Sequence, residues 1–595
     1  MLSPISKSIW QAKYRDENEF TVQDTWRRVA VALASVERDR DVWEERFYDA
    51  LEGFRFLPGG RILAGAGTSR RVTLLNCFVM GRIEDSVDGI FDALKEGAVT
   101  MQEGGGVGYD FSTLRPRGAH APGVGSIASG PVSFMRIWDS MCDTILSTGA
   151  RRGAMMATLR CDHPDIEEFV DAKGTPGTLS NFNLSVLVTD PFMEAVRADA
   201  EWLLVFPSAE PSRGETVMRR WSGATEPVAC HIHRRLRARE LWSRIMRATY
   251  DHGDPGVLFI DRVNRLNNLA YREEISATNP CGEVPLPAYG ACNLGSINLT
   301  RFVLDPFGHE ARLDEEGIRQ TCQVATRMLD NVIDATRFPL ERQRQYAKGA
   351  RRIGLGITGL ADALVMLGLP YGSNEARRLS STTMALVCHT AYRTSIYLAE
   401  QKGSFPFFQR DLYCEAEFVK TLPADIRNGI AERGIRNSHL TAIAPAGTIS
   451  LFANNVSSGI EPLFGFRYRR RVRESDGAIR EYELMDHAYE VWMAAHGPEE
   501  PLPPVFLRAN DIPSEAHLDM QAQLQRYVDN AISKTINVPS DYPFEQFRRL
   551  YELAYDKGLK GCTTFRPNPI TGQIIDTETA LCEGPHCRTI DREAD

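Results

Sequence analysis

From Phe56 onward the chain repeats one pattern: a short apolar run, a glycine, then a helical stretch. "FLPGGRIL" opens it. "VTLLNCFVM", "SVDGIFDALKEGAVTM" and "GGGVGYDFSTL" follow, and "LSNFNLSVLV", "GVLFIDRVN", "CNLGSINLT" and "HLTAIAPAG" continue it. Strands alternating with helices predict an α/β architecture built on parallel strands. No composition break interrupts the span, so one large domain over residues 55–566 is expected. Residues 1–54, with "TWRRVAVALASVERD", read as an N-terminal helical cap. Residues 208–238 read as a polar insertion, and residues 567–595 as a polar, turn-rich tail.

The bulk properties exclude several classes. At 595 residues with 43% hydrophobic content, the chain is neither disordered nor short of a core. Its 69 basic and 78 acidic residues give a formal charge of -9 with no dominant basic half. Broad binding to nucleic acid or membrane is therefore not expected. The run "RYRRRVRES" is a local exception and reads as a solvated face or an anion-facing loop. The N-terminus has no signal-like apolar core and no window reaches a membrane span. A cytoplasmic location follows, where the twelve cysteines stay reduced.

The chemistry-bearing stretch is "NPCGEVPLPAYGACNLGS", residues 279–296. Pro280 pushes Asn279 toward extended geometry, and in extended chain residues two apart share a side. Asn279, Cys281 and Glu283 would then present an amide, a thiol and a carboxylate together. Such a set needs a partner elsewhere in the chain.

Other motifs divide between functional and ordinary readings. "HLTAIAPAGTISLFANN" reads as a strand, a turn and a helix. Pro445, Ala446, Gly447, Thr448, Ile449 and Ser450 could form a phosphate cradle or an ordinary strand–turn–helix. Gly104, Gly105, Gly106 and Gly108 offer a second place for close backbone approach. Gly354, Gly356 and Gly359 match G-x-G-x-x-G, but a dinucleotide site wants a preceding strand. The upstream "QRQYAKGARR" is charged and helical, so packing of helices through small residues is the better reading. Cys230, His231 and His233 in "CHIH" lack the paired spacing of a zinc site, and no metal site is expected. Cys582 and Cys587 in "CEGPHC" could serve as a redox pair or, with further ligands, a metal site.

Together "LLNCFV", "EDSVDGIF", "GGGVGYDFSTLRPRGA", "NPCGEVPL", "ACNLGSINL", "RRIGLGITGLADAL" and "APAGTIS" resemble the catalytic subunit of ribonucleotide reductase. The resemblance spans roughly residues 55–566 and is strongest to the class II, adenosylcobalamin-dependent enzymes. It implies a ten-stranded α/β barrel, two antiparallel five-stranded parallel halves, with a central finger loop carrying Cys281 at its tip. It makes Cys281 the thiyl radical, Glu283 the general base at the 3′-hydroxyl, and Asn279 a partner of the sugar hydroxyls. Cys77 and Cys292 become the pair that supplies two electrons by forming a disulfide. Asn76, Cys77, Gly106, Asn279, Pro280, Cys281, Gly282, Glu283 and residues 445–450 become the substrate site.

The resemblance also implies an effector site for a dNTP or ATP at Asp85 and Ser86, and a relay loop at Arg151 and Arg152. Re-reduction would pass through Cys582 and Cys587 to thioredoxin or glutaredoxin, and a homodimer is expected. Substrates would be ribonucleoside diphosphates. Two adjacent tyrosines near the C-terminus, which oxygen-dependent relatives use, are replaced by "KGLKGCTTFRPNP". The C-terminal motif of the glycyl-radical class is absent as well. Elimination therefore leaves adenosylcobalamin as radical source. The alternatives are the large subunit of an oxygen-dependent reductase and a catalytically silent nucleotide-binding paralogue. The first 54 residues are too short for the ATP-cone module of many relatives, and Gly60 stands where they often have Ser or Thr.

Overall fold

Ten strands form the main sheet of the computed structural model, which describes residues 2–119, 127–147, 151–175, 177–207, 215–473 and 479–567. Cys77–Val79, Gly106–Asp110, Met155–Arg160, Phe182–Val188 and Gly256–Phe259 pair in that order, every ladder parallel. Helices connect several of them, as parallel pairing requires; Val87–Gln102 and Pro131–Thr144 are two such crossovers.

A second parallel set follows. Ala291–Asn298 pairs with Ile353–Thr358, Leu355 bridges Thr441, Ile443 bridges Ile532, and Thr535–Asn537 pairs with Gly561–Phe565. The two sets meet twice, and both junctions are antiparallel. Cys292 and Ala291 pair with Cys77 and Phe78, while Val257 and Leu258 pair with Cys562 and Gly561. Followed strand to strand, the pairings return to where they began, which gives the expected barrel of two parallel halves set antiparallel. Phe56–Pro58 adds to Ala291–Asn298 from outside that ring.

Through this ring runs a hairpin, Ala277–Thr278 paired with Pro285–Leu286. Its passage requires a strand without a side chain at one point. A Cβ on Gly108 would lie 1.9 Å from the Thr278 carbonyl oxygen. The hairpin is tied at both sides: Thr158 donates to the Ser276 carbonyl at 2.8 Å, and Arg352 donates to the Pro285 carbonyl at 3.3 Å.

The stretch around Gly354 and Gly356 corrects the expectation of helix packing. Ile353–Thr358 is a fully buried strand. A Cβ on Gly356 would lie 2.2 Å from the Ala442 carbonyl oxygen, so the glycines admit the neighbouring strand. Only Gly359 meets a helix, at the N-cap of Leu360–Met366. The charged helix expected upstream is Glu341–Ala350.

The N-terminal helices share one core with the barrel. Val22–Ala34 starts with a capping box of Thr21 and Asp24, and this helix and Arg40–Leu51 pack on Glu315–Ala335. There Arg327 and Lys402 hold the buried Glu37 at 2.6 and 2.8 Å. Burial raises the Glu37 carboxyl, but Arg327, Lys402 and Asn331 outweigh it and bring it down to about 2. The polar insertion contributes Thr216–Arg219 and Val228–Arg237, which complete a three-stranded antiparallel sheet with Glu201–Pro207. "RYRRRVR" forms the strand Arg467–Arg473 of a hairpin with Ile479–Met485. Among the described residues no helix is long and apolar enough to cross a membrane.

Candidate active site

The finger tip is a turn and not an extended segment, which corrects the alternation expected of Asn279, Cys281 and Glu283. Gly282 N donates to the Asn279 carbonyl at 3.1 Å. Asn279 Oδ1 accepts from Val284 N at 3.0 Å and fastens the loop from inside. The turn leaves Cys281 partly exposed at the tip and folds Asn279 and Glu283 back into full burial.

Their meeting point is Cys77. Asn279 Nδ2 approaches its sulfur at 3.2 Å and Glu283 Oε1 lies 3.9 Å from it. Cys77 in turn sits directly opposite Cys292 in the antiparallel junction of the two halves. Opposed residues there have Cα atoms about 4.5–5.5 Å apart, within the roughly 4.4–6.8 Å that a disulfide spans. Cys77 and Cys292 pack in one buried cluster with Val79, Val284, Leu294, Ala442 and Ala444.

Electrostatics follow from this burial. Desolvation pushes the Cys77 thiol well up, and the Glu283 carboxylate, Cys292 and Cys281 push in the same direction. Burial also raises Cys292, against a smaller opposing pull from Arg352. Both sulfurs therefore carry their protons at neutral pH. Glu283 rises to about 7 by burial, with Asn279, its own backbone and Cys77 opposing. A carboxyl poised near neutrality is suited to take and return a proton.

Glu283 Oε2 is buried here with no hydrogen-bond partner among the described residues, and so are Nδ2 and Oδ1 of Asn76, whose amide lies against Gly59. Buried polar groups are normally satisfied, and each one left alone costs about 1–3 kcal/mol. A hydroxyl-bearing ligand beside Cys77 would satisfy Glu283. Gly106 lines the same place, its N bonded to the Asn76 carbonyl at 2.9 Å, with Pro280 3.2 Å from where its Cβ would stand.

The segment 441–444 leads from this cluster to the proposed cradle. Pro445 precedes Ala446, which has left-handed backbone, and Gly447, Thr448, Ile449 and Ser450 begin the short helix Gly447–Phe452. The turn and the helix stand as expected, and the expected strand is reduced to isolated bridges at Thr441 and Ile443. Ser450 Oγ lies 3.3 Å from Thr358 Oγ1.

The expected effector residues lie elsewhere and are already engaged. Asp85 pairs with Arg115 at 2.8 Å, and Ser86 caps Val87–Gln102 by accepting from Gly89 N at 3.1 Å. Arg151–Arg152 form a two-residue strand paired with Leu146–Ser147. Cys582 and Cys587 lie outside the described residues. Cys230 is buried with Val205 and Trp221, whereas the rings of His231 and His233 meet at 5.1 Å. No group of three metal-ligating side chains exists among the described residues.

One neighbour of the tip was missed from sequence. Asn183 Nδ2 donates to the Pro280 carbonyl at 2.7 Å. Its signal was present in "FNLSVLV", where Asn183 and Ser185 interrupt a buried apolar strand at alternate positions.

The chain matches two models of one known family along most of its length. The family model "Ribonucleotide reductase, barrel domain" matches residues 75–565, and "Ribonucleotide reductase, all-alpha domain" matches residues 1–71. A vitamin B12-dependent ribonucleoside-diphosphate reductase of Mycobacterium tuberculosis is 38% identical over 553 residues, covering 90% of this chain and 73% of that protein. One from Thermoplasma acidophilum is 36% identical over 557 residues, covering 91% and 67%. The ribonucleoside-diphosphate reductase large subunit of vaccinia virus is 27% identical over 591 residues, covering 92% and 74%.

Proposed function

The chain belongs to the ribonucleotide reductase family, and on that premise we propose that it reduces ribonucleoside diphosphates to 2′-deoxyribonucleotides with adenosylcobalamin as radical source. The observation that carries the reading is Cys77 opposite Cys292, with Asn279 and Glu283 turned onto the same sulfur. The diphosphate and the cobalamin rest on the names of the relatives at 36–38% identity.

A radical source needs room beside Cys281. A Cβ on Gly282, the residue after Cys281, would meet nothing within 4 Å, so the tip has open space where a cofactor would stand. When bound, the cofactor supplies a radical by homolysis of its cobalt–carbon bond.

The protein's own groups carry the remainder. Cys281, as a sulfur radical, takes the hydrogen from C3′ and later returns it. Glu283 receives the 3′-hydroxyl proton at its carboxylate and gives it back. Asn279 would orient the sugar hydroxyls. The 2′-hydroxyl leaves as water, protonated by Cys77. Cys77 and Cys292 together give two electrons and two protons and end as a disulfide. Residues 445–450 would hold the phosphates.

A redox donor must reopen that disulfide. Buried as it is, the pair needs a carrier that reaches it, because exchange requires direct sulfur contact. Cys582 and Cys587 would be that carrier, with thioredoxin or glutaredoxin as donor. Cys582→Ser should stop thioredoxin-driven turnover while a small dithiol sustains it. A dNTP or ATP effector at Asp85 and Ser86 would act through Arg151 and Arg152. Val87 and Phe91 are 66% and 49% exposed one turn apart on the adjacent helix, a surface suited to pairing in a homodimer.

The strand Gly561–Phe565 carries Cys562, Thr563 and Thr564 where oxygen-dependent relatives have tyrosines, which favours the cobalamin reading. The test is an assay of the purified protein alone with labelled ribonucleoside diphosphate, dithiol and adenosylcobalamin. Deoxyribonucleotide is expected. Activity that appears only with a second, metal-containing protein would overturn the class.

A further inference from the structure

We propose that Asn183 is a positioning residue that aims the Cys281 thiol by fixing the peptide between Pro280 and Cys281. The inference deepens the functional reading above and rests on it for its kinetic consequences, but not for its structural ones.

The tip Asn279–Pro280–Cys281–Gly282 is a hydrogen-bonded turn, with Gly282 N donating to the Asn279 carbonyl at 3.1 Å. Gly282 has φ +81, and Cys281 is absent from the residues with positive φ. A type II turn would require positive φ at the third position, so this turn is of the type I kind. A type I turn followed by a left-handed glycine is also a common hairpin tip. In either type the central carbonyl, here that of Pro280, points away from the turn and must find its partner outside it. Asn183 Nδ2 is that partner, at 2.7 Å.

Losing the contact frees the central peptide to swing. Between the two turn types, ψ of the second residue changes by about 150° and φ of the third by about 170°. Here the third residue is Cys281: a flipped peptide would turn the Pro280 carbonyl toward its Cβ and force it toward positive φ, which a residue with a side chain resists, so the thiol loses its single defined direction. The rest of the hairpin would stay in place. Ala531 N donates to the Glu283 carbonyl at 2.9 Å, and Val284 N to Asn279 Oδ1 at 3.0 Å. Asn183 comes from Phe182–Val188, a central strand of the first parallel half. A wall of the barrel thus reaches the peptide bonded to the reacting residue. Misplacing a reacting atom by about 1 Å can cost about 10²-fold in rate, so one hydrogen bond at this peptide has leverage.

The experiment compares Asn183→Ala and Asn183→Asp with the parent enzyme; ionised aspartate keeps the shape but cannot donate. With cofactor, dithiol and ribonucleoside diphosphate, kcat should fall by about 10- to 100-fold and KM should stay within about twofold. Substrate deuterated at C3′ should show a larger isotope effect, since abstraction becomes limiting. A second arm needs no cofactor: iodoacetamide labelling of the protein alone, followed peptide by peptide. Cys281 should alkylate at least about threefold faster in both variants, while Cys414, also partly exposed, keeps its rate as the internal control. A Cys281 labelling rate unchanged in both variants overturns the proposal, whatever turnover does. A fall in melting midpoint beyond about 5 °C in both also overturns it, by making Asn183 a structural residue. If the parent enzyme reduces no ribonucleotide, the functional reading fails, and the labelling arm still decides what Asn183 holds.

Discussion

The finger hairpin and the ribbon of Thr216–Arg219 with Val228–Arg237 start from similar sequence. Each is a short antiparallel pair carrying a cysteine and polar, titratable side chains at close spacing. The ribbon's pairing shifts register between Ile232 and Arg234, and its groups part: Cys230 turns into an apolar cluster, while the rings of His231 and His233 meet each other. The hairpin breaks alternation at its tip and folds Asn279 and Glu283 onto Cys77, which comes from another strand. The difference is convergence. The ribbon's groups have separate neighbours, Cys230 with Asp162 and Arg160 and His233 with His163 and His231, whereas the hairpin's groups gather on one sulfur inside a closed wall. Spacing nominates residues, and the surrounding elements decide whether they act together.

The sharpest way to break this contrast is at the sulfurs. Cys281→Ser should lower reduction by at least about 10⁴-fold while nucleotide affinity stays within about twofold, because the loss falls on chemistry and not on binding. Cys77→Ser and Cys292→Ser should each end dithiol-driven turnover, since one thiol cannot deliver two electrons as a disulfide. Quenched-flow product analysis and equilibrium binding check both statements. Equal loss of binding in Cys281→Ser would make it a structural thiol.

Next in size is the base. Glu283→Gln should slow turnover by about 10²- to 10⁴-fold. In the parent enzyme kcat/KM should rise as pH passes about 7, where burial holds the Glu283 carboxyl, because the base must be ionised. The Gln variant should lose that rise. A pH profile that keeps its inflection in the variant would assign it to another group.

Much of this is legible in the sequence alone. The alternation of apolar runs and helical stretches gives the parallel halves, because a strand buried in a barrel wall must be short and apolar. The trio in "NPCGE" was legible as chemistry but misread as geometry: Pro280 and Gly282 make a turn, and the alternation argument holds only inside a strand. Ile353–Thr358 was misread because its glycines answer a neighbouring strand at Ala442, which no local pattern reveals. The opposition of Cys77 and Cys292 is a property of the junction between halves, so only the closed topology brings it about. Asn183 was hidden for a plainer reason. A single asparagine in an apolar strand shows that something polar faces it, but not what.

The same carboxyl also separates the regions thermodynamically. Glu283 has a folded-state pKa near 7 against an ordinary value of 4.5. Below about 4.5 it is protonated in both folded and unfolded chain and contributes no difference. As pH rises the unfolded chain ionises first, so the folded state loses stability until pH passes about 7. The full cost is about 3 kcal/mol from about 2.5 pH units at 1.36 kcal/mol each. Glu283→Gln removes it. Urea midpoints should therefore show the variant gaining on the parent by about 2 kcal/mol between pH 5 and pH 8. A constant difference across that range would mean the carboxyl ionises normally in the fold.

The smallest effect belongs to the ribbon, and it tests the contrast from the other side. His231 and His233 touch each other, and burial lowers His233, with His231 adding to the shift. Neither ring reaches the finger hairpin in any hydrogen bond or ring contact found among the described residues. Among the described residues three potential ligands do not gather there, and a zinc site needs four, or three with an open position. The double substitution His231→Ala with His233→Ala should leave kcat and KM within about twofold and stability within about 0.5 kcal/mol. Added zinc should leave the melting midpoint of the parent unchanged, because a ligand raises stability only when it binds the folded state. A zinc-dependent rise that the double variant lacks would show that local spacing alone had built a site. The ribbon and the hairpin would then differ in what they bind, and not in whether their groups converge.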